Sequence, residues 1–126
     1  MSEAGLQGAH ILLLEDDALI NLATTEILEE MGCRVTACMR LDQSFAAIER
    51  EQPDAAVLDV NINGIMSYEL AERLHAGGTA IVFLTGYGSP TLSGKWNDFP
   101  HCYKPCDPAE LKALLIKVLG AGRDVR

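Results

Sequence analysis

The stretch that decides the fold reads His-Ile-Leu-Leu-Leu-Glu-Asp-Asp at positions 10–17. An apolar run that ends in three acids is typical of a parallel β-strand buried on both faces, with polar residues at its carboxyl end. Apolar residues then recur at helical spacing from Leu19 to Met31, and Gly32 is suited to end that helix. The chain therefore begins with a strand, an acidic turn and a helix, and Asp17 is expected to cap the helix.

The same alternation of strand and helix continues along the chain. Further strands are predicted at 35–37, 55–58, 80–84 and 101–103, and further helices near Leu41 with Asp42 as cap, at 67–76, and from Asp107 with Pro108 in its first turn. The Gly/Pro-rich segment 86–100 leaves room for a single helical turn near 91–95. This pattern predicts an α/β fold: a flavodoxin-like, doubly wound, five-stranded parallel sheet of order 2-1-3-4-5 with a shortened fourth helix.

Length and composition limit the organisation and the partners of the chain. With 126 residues we expect one folded domain at 10–120, a flexible N-terminus at 1–9 and a flexible C-terminus at 121–126. A net charge of -8 disfavours binding to nucleic acid and to anionic membranes. Since no apolar run approaches the length of a membrane span, a cytoplasmic location is expected, with all four cysteines (Cys33, Cys38, Cys102 and Cys106) reduced.

Acidic residues should meet at one edge of this sheet. Strands one and three are neighbours in the predicted order, so Glu15, Asp16 and Asp59 converge at their carboxyl ends, facing Lys104 from the last strand. Two carboxylates about 4 Å apart repel by roughly 4 kcal/mol at an effective dielectric of 20. A divalent cation would balance the charge, and an all-oxygen ligand set suits Mg²⁺ or Mn²⁺.

The same residues suggest phosphoryl-transfer chemistry. An ionised Asp59 needs no general base to attack phosphorus. The transferring group spreads negative charge over its oxygens, and the Lys104 ammonium, the Thr85 hydroxyl and the metal can stabilise that charge. We therefore predict Asp59 as nucleophile.

Four motifs carry a family resemblance. They are Leu-Leu-Leu-Glu-Asp-Asp at 12–17, Leu-Asp-Val-Asn at 58–61, Phe-Leu-Thr-Gly-Tyr at 83–87 and Tyr-Lys-Pro at 103–105. In this order, at the ends of predicted strands, they resemble the receiver domain of two-component response regulators over 10–119. The 59–64 loop and the 83–88 segment look most like a subgroup often found without a DNA-binding domain, so a stand-alone receiver is expected.

The resemblance implies a role for each residue of the cluster. Asp59 matches the phospho-acceptor and Asp16 the direct metal ligand. Glu15 matches the acid that usually holds the metal through water. Asn61 stands where the family offers a backbone carbonyl to the metal.

Further positions match the switch region of the family or depart from it. Thr85 stands where a hydroxyl meets the phosphoryl oxygen, and the Lys104–Pro105 bond would be cis. The aromatic switch position is His101, and the proline often found four residues after the acceptor is Asn63, followed by Gly64. These departures predict a freer loop after Asp59 and an unusual conformational output.

The function that the resemblance implies is phosphorelay signalling. A histidine kinase or phosphotransfer protein would phosphorylate Asp59 in a Mg²⁺-dependent step, and the phosphorylated chain would change its binding to a downstream protein. The chain would catalyse only its own phosphorylation and dephosphorylation, as a monomer or weak dimer. Two large aromatics in the polar segment, Tyr87 and Trp96, suggest a partner surface.

Two alternatives come from other classes of protein. A Mg²⁺-dependent phosphohydrolase acting through an aspartyl-phosphate would need an acid or base two residues after the nucleophile, and position 61 is Asn. A non-catalytic flavodoxin-like binding module would need a glycine-rich phosphate cradle, whereas the first turn of this chain is acidic.

Overall fold

The computed structural model describes residues 3–86, 92 and 94–123. The strands and α-helices of these residues are β1 (His10–Leu14), α1 (Ala18–Glu30), β2 (Arg34–Cys38), α2 (Leu41–Arg50), β3 (Ala55–Asp59), β4 (Asn61–Ile62), β5 (Ile65–Met66), α3 (Tyr68–Ala76), β6 (Ala80–Thr85), β7 (His101–Tyr103) and α4 (Pro108–Arg123). Short 3-10 helices occupy Glu3–Leu6 and Gly94–Asp98. None of the helices described is long and apolar enough to cross a membrane.

The main sheet has five parallel strands in the order β2-β1-β3-β6-β7. Counted without the small β4–β5 hairpin, this order is 2-1-3-4-5, so the predicted flavodoxin-like fold is confirmed. Leu14 lies beside Leu58, and Asp59 lies beside Leu84. The residues that follow β1, β3 and β6 therefore leave the sheet at the same edge, which we call the carboxyl end.

Alternate residues of the central strands pack on opposite faces of the sheet. Leu12, Leu58 and Phe83 belong to a core cluster with α2 and α3, whereas Ile11, Val57 and Leu84 belong to a second cluster with α1 and α4. β1 and β3 are buried throughout their length. Burying one such side chain is worth about 1.5–3 kcal/mol, so the core fixes the strands whose ends carry the acidic residues.

Two of the predicted helix ends are confirmed. The Asp17 carboxylate accepts hydrogen bonds from the Leu19 and Ile20 amides, each at 3.0 Å, and so caps α1. Gly32 follows α1 with a φ of 94°, a left-handed conformation that favours glycine. The polar residues between β1 and α1 are therefore held in a fixed turn.

The predicted cap of α2 was wrong. Arg40 is the residue at the N-cap, and Asp42 lies in the first turn of the helix. The Gln43 side chain accepts hydrogen bonds from the amides of Met39 and Arg40, whereas Asp42 accepts from the adjacent Gln43 amide.

The ends of the chain are more structured than the sequence predicts. Leu6 is fully buried against the α4 side of the sheet, and the Gly8 amide donates to the Gly32 carbonyl at 2.8 Å. At the other end, α4 continues to Arg123, beyond the expected boundary at residue 120. The folded unit therefore includes part of the segment at 1–9.

The segment before β7 also differs from the prediction. Its helical turn lies at Gly94–Asp98 rather than near 91–95, and Trp96 is only 5% exposed. The indole is stacked on Tyr68, with ring centroids 6.1 Å apart, and packs against Phe83 and Phe99. The predicted partner surface therefore cannot use Trp96 in this conformation, and Tyr87 lies outside the described residues.

The cysteines do not all remain reduced as expected. Cys102 and Cys106 are joined by a disulfide with their Cα atoms 6.1 Å apart, whereas Cys33 and Cys38 are free and buried. The turn between β7 and α4 brings the two sulfurs together, and chain length and core size do not reveal such a local pairing.

Candidate functional site

Three charged side chains meet at the carboxyl end of the sheet. The Lys104 ammonium donates to Asp59 Oδ2 at 2.9 Å and to Glu15 Oε1 at 3.0 Å. Glu15 and Asp59 are almost completely buried, and the Lys104 side chain is 17% exposed. Lys104 is aligned by its own backbone amide, which donates to the Thr85 carbonyl at 2.8 Å and extends the β6–β7 pairing.

Asp16 completes an acidic group that could hold a metal ion. Ligand oxygens from Glu15, Asp16 and Asp59 all lie within 4.8 Å of one another. Asp16 is partly exposed, and its Oδ2 accepts a hydrogen bond from the Asn63 amide at 2.9 Å. Three carboxylates face one ammonium, and hard oxygen ligands of this kind fit Mg²⁺ or Mn²⁺.

Burial and the neighbouring charges both change the pKa values of Glu15 and Lys104. Burial raises the pKa of Glu15 and the Asp59 charge adds to the rise, whereas the Asp17 amide and Lys104 act against it. Burial alone would lower the pKa of Lys104, but its hydrogen bonds and ion pairs with Asp59 and Glu15 outweigh that effect and raise it. The carboxylates of Asp59 and Glu15 therefore favour the protonated, positively charged form of Lys104.

Thr85 ends β6 beside this group. Its hydroxyl oxygen is buried and has no hydrogen-bond partner among the described residues. A buried hydroxyl without a partner lowers the free energy of unfolding by about 1–3 kcal/mol. Such a group commonly forms its hydrogen bond with a ligand or in a later state of a reaction. Thr85 thus leaves a free hydrogen-bonding group at the edge where Asp59 ends its strand.

The loop after Asp59 is a hairpin rather than a freer loop. β4 and β5 pair across the two-residue turn of Asn63 and Gly64, whose φ angles are 52° and 89°. An Asn-Gly pair with both φ angles positive is the preferred sequence of a tight hairpin. The Asn61 side-chain oxygen accepts a hydrogen bond from the Gly64 amide at 2.8 Å, so this side chain is directed into the hairpin turn.

The contacts described for His101 do not include a residue of the acidic group. It is partly buried in β7, its Nδ1 is 3.1 Å from the Phe99 carbonyl, and its ring packs edge-on against Tyr103. The structure therefore places this predicted switch residue beside the Phe99 carbonyl and the Tyr103 ring.

Two positioning residues were missed by the sequence analysis. Asn21 in α1 is buried and donates to the carbonyls of Glu15 and Cys38, each at 3.0 Å. Ser67 is fully buried, and its hydroxyl donates to the Asp59 carbonyl at 2.7 Å. Asn21 could have been noticed as an amide within an apolar helix, whereas nothing in the local pattern separates Ser67 from an ordinary cap.

Comparison with known proteins identifies the family. The model of the response regulator receiver domain matches residues 11–116. The match spans most of the chain and includes every member of the acidic group, so the chain belongs to the receiver domains of two-component signalling. Receiver domains are regulatory phospho-acceptors.

Several relatives agree with this assignment. The transcriptional regulatory protein CseB of Streptomyces avermitilis is 35% identical over 75 residues, which are 60% of this chain and 32% of that protein. The chain thus spans about a third of the length of that curated relative. SdrG from Sphingomonas melonis has a solution structure with a TM-score of 0.80 at 29% identity, covering 94% of this chain and 99% of that one.

A third relative contains a metal ion. The receiver domain of the sensor histidine kinase PA1611 from Pseudomonas aeruginosa has a TM-score of 0.75 at 26% identity, covering 90% of this chain and 98% of that one. Its crystal structure holds a magnesium ion in the active-site cleft.

Proposed function

We propose that this chain accepts a phosphoryl group on Asp59 from a histidine kinase or phosphotransfer protein and thereby changes its binding to a downstream protein. The observation that carries the proposal is the Lys104 ammonium bridging Asp59 and Glu15, 2.9 and 3.0 Å away. This arrangement holds the acceptor carboxylate in place beside a cation that can also stabilise the incoming negative charge. The reaction would take place in the cytoplasm.

In the proposed step an Asp59 oxygen attacks phosphorus, and the bond from phosphorus to the donor nitrogen breaks. The donor histidine keeps the electron pair of that bond and leaves as neutral imidazole after taking up a proton. Lys104 then exchanges part of its interaction with Asp59 for the phosphoryl oxygens. The Thr85 hydroxyl, which has no partner within the described part of the chain, is suited to donate to one of those oxygens, which would draw the end of β6 toward Asp59.

The residues present fit a divalent cation. Glu15, Asp16 and Asp59 would hold it, together with the backbone carbonyl of Asn61, and the clustering of three carboxylate oxygens supports this set. When bound, the metal would neutralise charge on the carboxylates and on the phosphoryl oxygens. Mg²⁺ is the expected ion, with Mn²⁺ as a substitute.

The partner that donates the phosphoryl group would dock beside Lys104. α1 presents Leu19 and Leu22 to solvent, 79% and 58% exposed. Between α1 and the Lys104–Pro105–Cys106 turn lies an apolar groove of about 370 Å³. Because Lys104 both lines this groove and contacts Asp59, the groove is the proposed contact of the kinase or phosphotransfer protein.

A phosphodonor assay tests the acceptor. Acetyl phosphate with Mg²⁺ should label the wild type, as measured by intact mass, and labelling of Asp59→Asn should fall below about one hundredth of the wild-type rate. Asp42→Asn, at an exposed position on α2, is the matched control and should be labelled normally. Labelling that persists in Asp59→Asn would assign the phosphoryl group to another residue.

Variants of two adjacent residues, Asp16 and Asp17, test the proposed metal site. At free Mg²⁺ about 100-fold above its Kd, the wild type should gain about 2.7 kcal/mol of unfolding free energy. Asp16→Asn should lose most of this gain. Asp17→Asn should keep it, and because an asparagine oxygen can still accept from the Leu19 and Ile20 amides, the α1 cap is retained. An equal response to Mg²⁺ in both variants would contradict the proposed ligand set.

The phosphohydrolase alternative is not supported by the geometry at position 61. The Asn61 side chain is an amide already bound to the Gly64 backbone, so it offers no acid or base to the acceptor. Turnover of a small phosphate ester by the wild type would revive that alternative.

A further inference from the structure

The disulfide lies directly on the segment that carries the site lysine. Cys102 is fully buried in β7, within the core cluster that includes α4, and Cys106 stands just before α4, partly exposed. Lys104 is the middle residue of the five-residue loop that the bond closes. The bond therefore ties the turn that positions Lys104 to a core strand.

The two halves of this loop are anchored differently. On the β7 side, the Lys104 amide is bound to the Thr85 carbonyl at 2.8 Å. On the α4 side, Pro105 is exposed, and Cys106 is partly exposed at the edge of the core cluster that includes α4. The disulfide is thus a covalent restraint on the half of the loop that the β6–β7 pairing does not reach.

The pair also differs from the other cysteines in access. Cys33 and Cys38 are buried, and burial raises the pKa of both thiols, which makes them poor nucleophiles. Cys106 lines the groove between α1 and the Lys104 turn, where a small oxidant can reach its sulfur. Cys102 lies behind it as a resolving thiol.

We infer that Cys102 and Cys106 form a reversible oxidation site that controls how well Asp59 accepts a phosphoryl group. This inference rests on the proposed function. In a reducing compartment the two residues are thiols, and a peroxide is the oxidant that converts them. The disulfide then reports oxidative conditions at the phosphorylation site.

The reaction balances with one equivalent of hydrogen peroxide. The Cys106 thiolate attacks one peroxide oxygen, the O–O bond breaks, and a sulfenic acid and one water form after proton transfer. The Cys102 thiol then attacks the sulfenic sulfur, the S–O bond breaks, and the second water leaves. The two cysteines lose two electrons and two protons in total, and a dithiol reductant reverses the change.

The oxidised form should be the better acceptor. The bond limits the conformations of the loop and keeps the Lys104 ammonium near Asp59 and Glu15, whereas the reduced loop can move away from α4. Small displacements of a charge-stabilising group lower the rate of group transfer. We expect the reduced protein to be labelled by acetyl phosphate about fivefold more slowly than the oxidised protein.

The first measurement establishes the oxidation itself. The full chain is treated with hydrogen peroxide or with a dithiol reductant, alkylated, and analysed by intact mass and peptide mapping. The oxidised chain should contain two fewer alkylated cysteines and a peptide linking Cys102 to Cys106. Alkylation of all four cysteines after peroxide treatment would overturn the inference.

The second measurement connects oxidation to phosphorylation. Labelling rates of the two redox forms are compared for the wild type, for Cys106→Ser and for the control Cys33→Ala. Cys106→Ser should be labelled at the reduced rate under both conditions, and Cys33→Ala should keep the fivefold difference. Equal labelling of the two wild-type forms would overturn the redox control alone, whereas no labelling of either form would overturn the proposed function as well.

Discussion

The two ends of the sheet handle polar groups in opposite ways. At the carboxyl end, Lys104 faces three carboxylates, and the buried Thr85 hydroxyl lacks a partner among the described residues. At the amino end, the Thr79 hydroxyl donates to the Pro53 carbonyl at 2.8 Å and accepts from Gln52 at 2.5 Å. At the carboxyl end, buried carboxylates outnumber the one ammonium that they contact, whereas at the amino end neutral hydrogen bonds join the buried Thr79 to its neighbours and the Arg34–Glu51 ion pair is exposed to solvent.

The two ends of the sheet are therefore expected to have different roles: the carboxyl end carries the reactive groups, and the amino end contributes to stability. Buried charges without full compensation lower the stability of the folded state, and functional sites commonly carry such groups. Neutral hydrogen bonds such as those of Thr79 link the strands at the amino end without this cost, and the ion pair of that end lies in solvent. Substitutions at the amino end should therefore change stability alone, whereas substitutions at the carboxyl end should change both stability and phosphorylation.

The largest effect on stability is expected for Lys104→Ala. This variant leaves Glu15 and Asp59 without their ammonium and should lower the free energy of unfolding by about 3 kcal/mol in metal-free buffer. Urea denaturation measures the loss, with the exposed Lys117→Ala as control. Mg²⁺ should recover part of the loss because the cation replaces the missing positive charge. A loss equal to that of the control would mean that the pairing contributes nothing.

A pair of variants compares the two ends directly. Asn21→Ala at the carboxyl end removes the side-chain donor of the Glu15 carbonyl, and Thr79→Val at the amino end removes that of the Pro53 carbonyl, each at a cost of about 2 kcal/mol. Both should unfold at lower urea concentration. Only Asn21→Ala should slow labelling by acetyl phosphate, because Asn21 holds the backbone of Glu15. Equal slowing of labelling by Thr79→Val would contradict the expected difference in role between the two ends of the sheet.

The smallest effect concerns pH at the amino end. Burial and the nearby Arg34 guanidinium lower the pKa of His10 below its ordinary 6.5, against the opposing charges of Glu51 and Asp54. The unfolded chain then binds this proton at higher pH than the folded chain does. The contribution of His10 to stability is complete above about pH 6.5 and is lost as the pH falls toward the lower pKa of the folded state.

Urea midpoints between about pH 8 and about pH 5.5 measure this dependence. His10→Gln should flatten the decline, and Arg34→Gln should reduce it because one cause of the lowered pKa is gone. A wild-type midpoint that rises on acidification over this range would contradict the expected sign.

The sequence predicted the sheet and the acidic group for the same physical reason. Strands buried on both faces appear as apolar runs, and the residues that end them must share one edge once the strand order is known. Glu15, Asp16, Asp59 and Lys104 therefore came together as expected. Their roles in phosphoryl transfer remain predictions.

Features that depend on short or tertiary contacts were not predictable in this way. β4 and β5 have two residues each, which is too short for a periodic pattern, so the hairpin at Asn63 was read as a freer loop. Trp96 lies in a segment whose glycines and prolines suggest exposure, yet the distant residues Tyr68 and Phe83 cover it together with the neighbouring Phe99. The disulfide depends on the turn between β7 and α4, which spacing alone does not determine.

The burial of Trp96 has a practical consequence. It is the single tryptophan of the chain, and it sits in the 3-10 helix between Thr85 and His101. Its fluorescence emission therefore reports on the packing of this segment without any attached dye. A spectral shift on addition of beryllofluoride and Mg²⁺ would give a continuous optical signal for activation in solution.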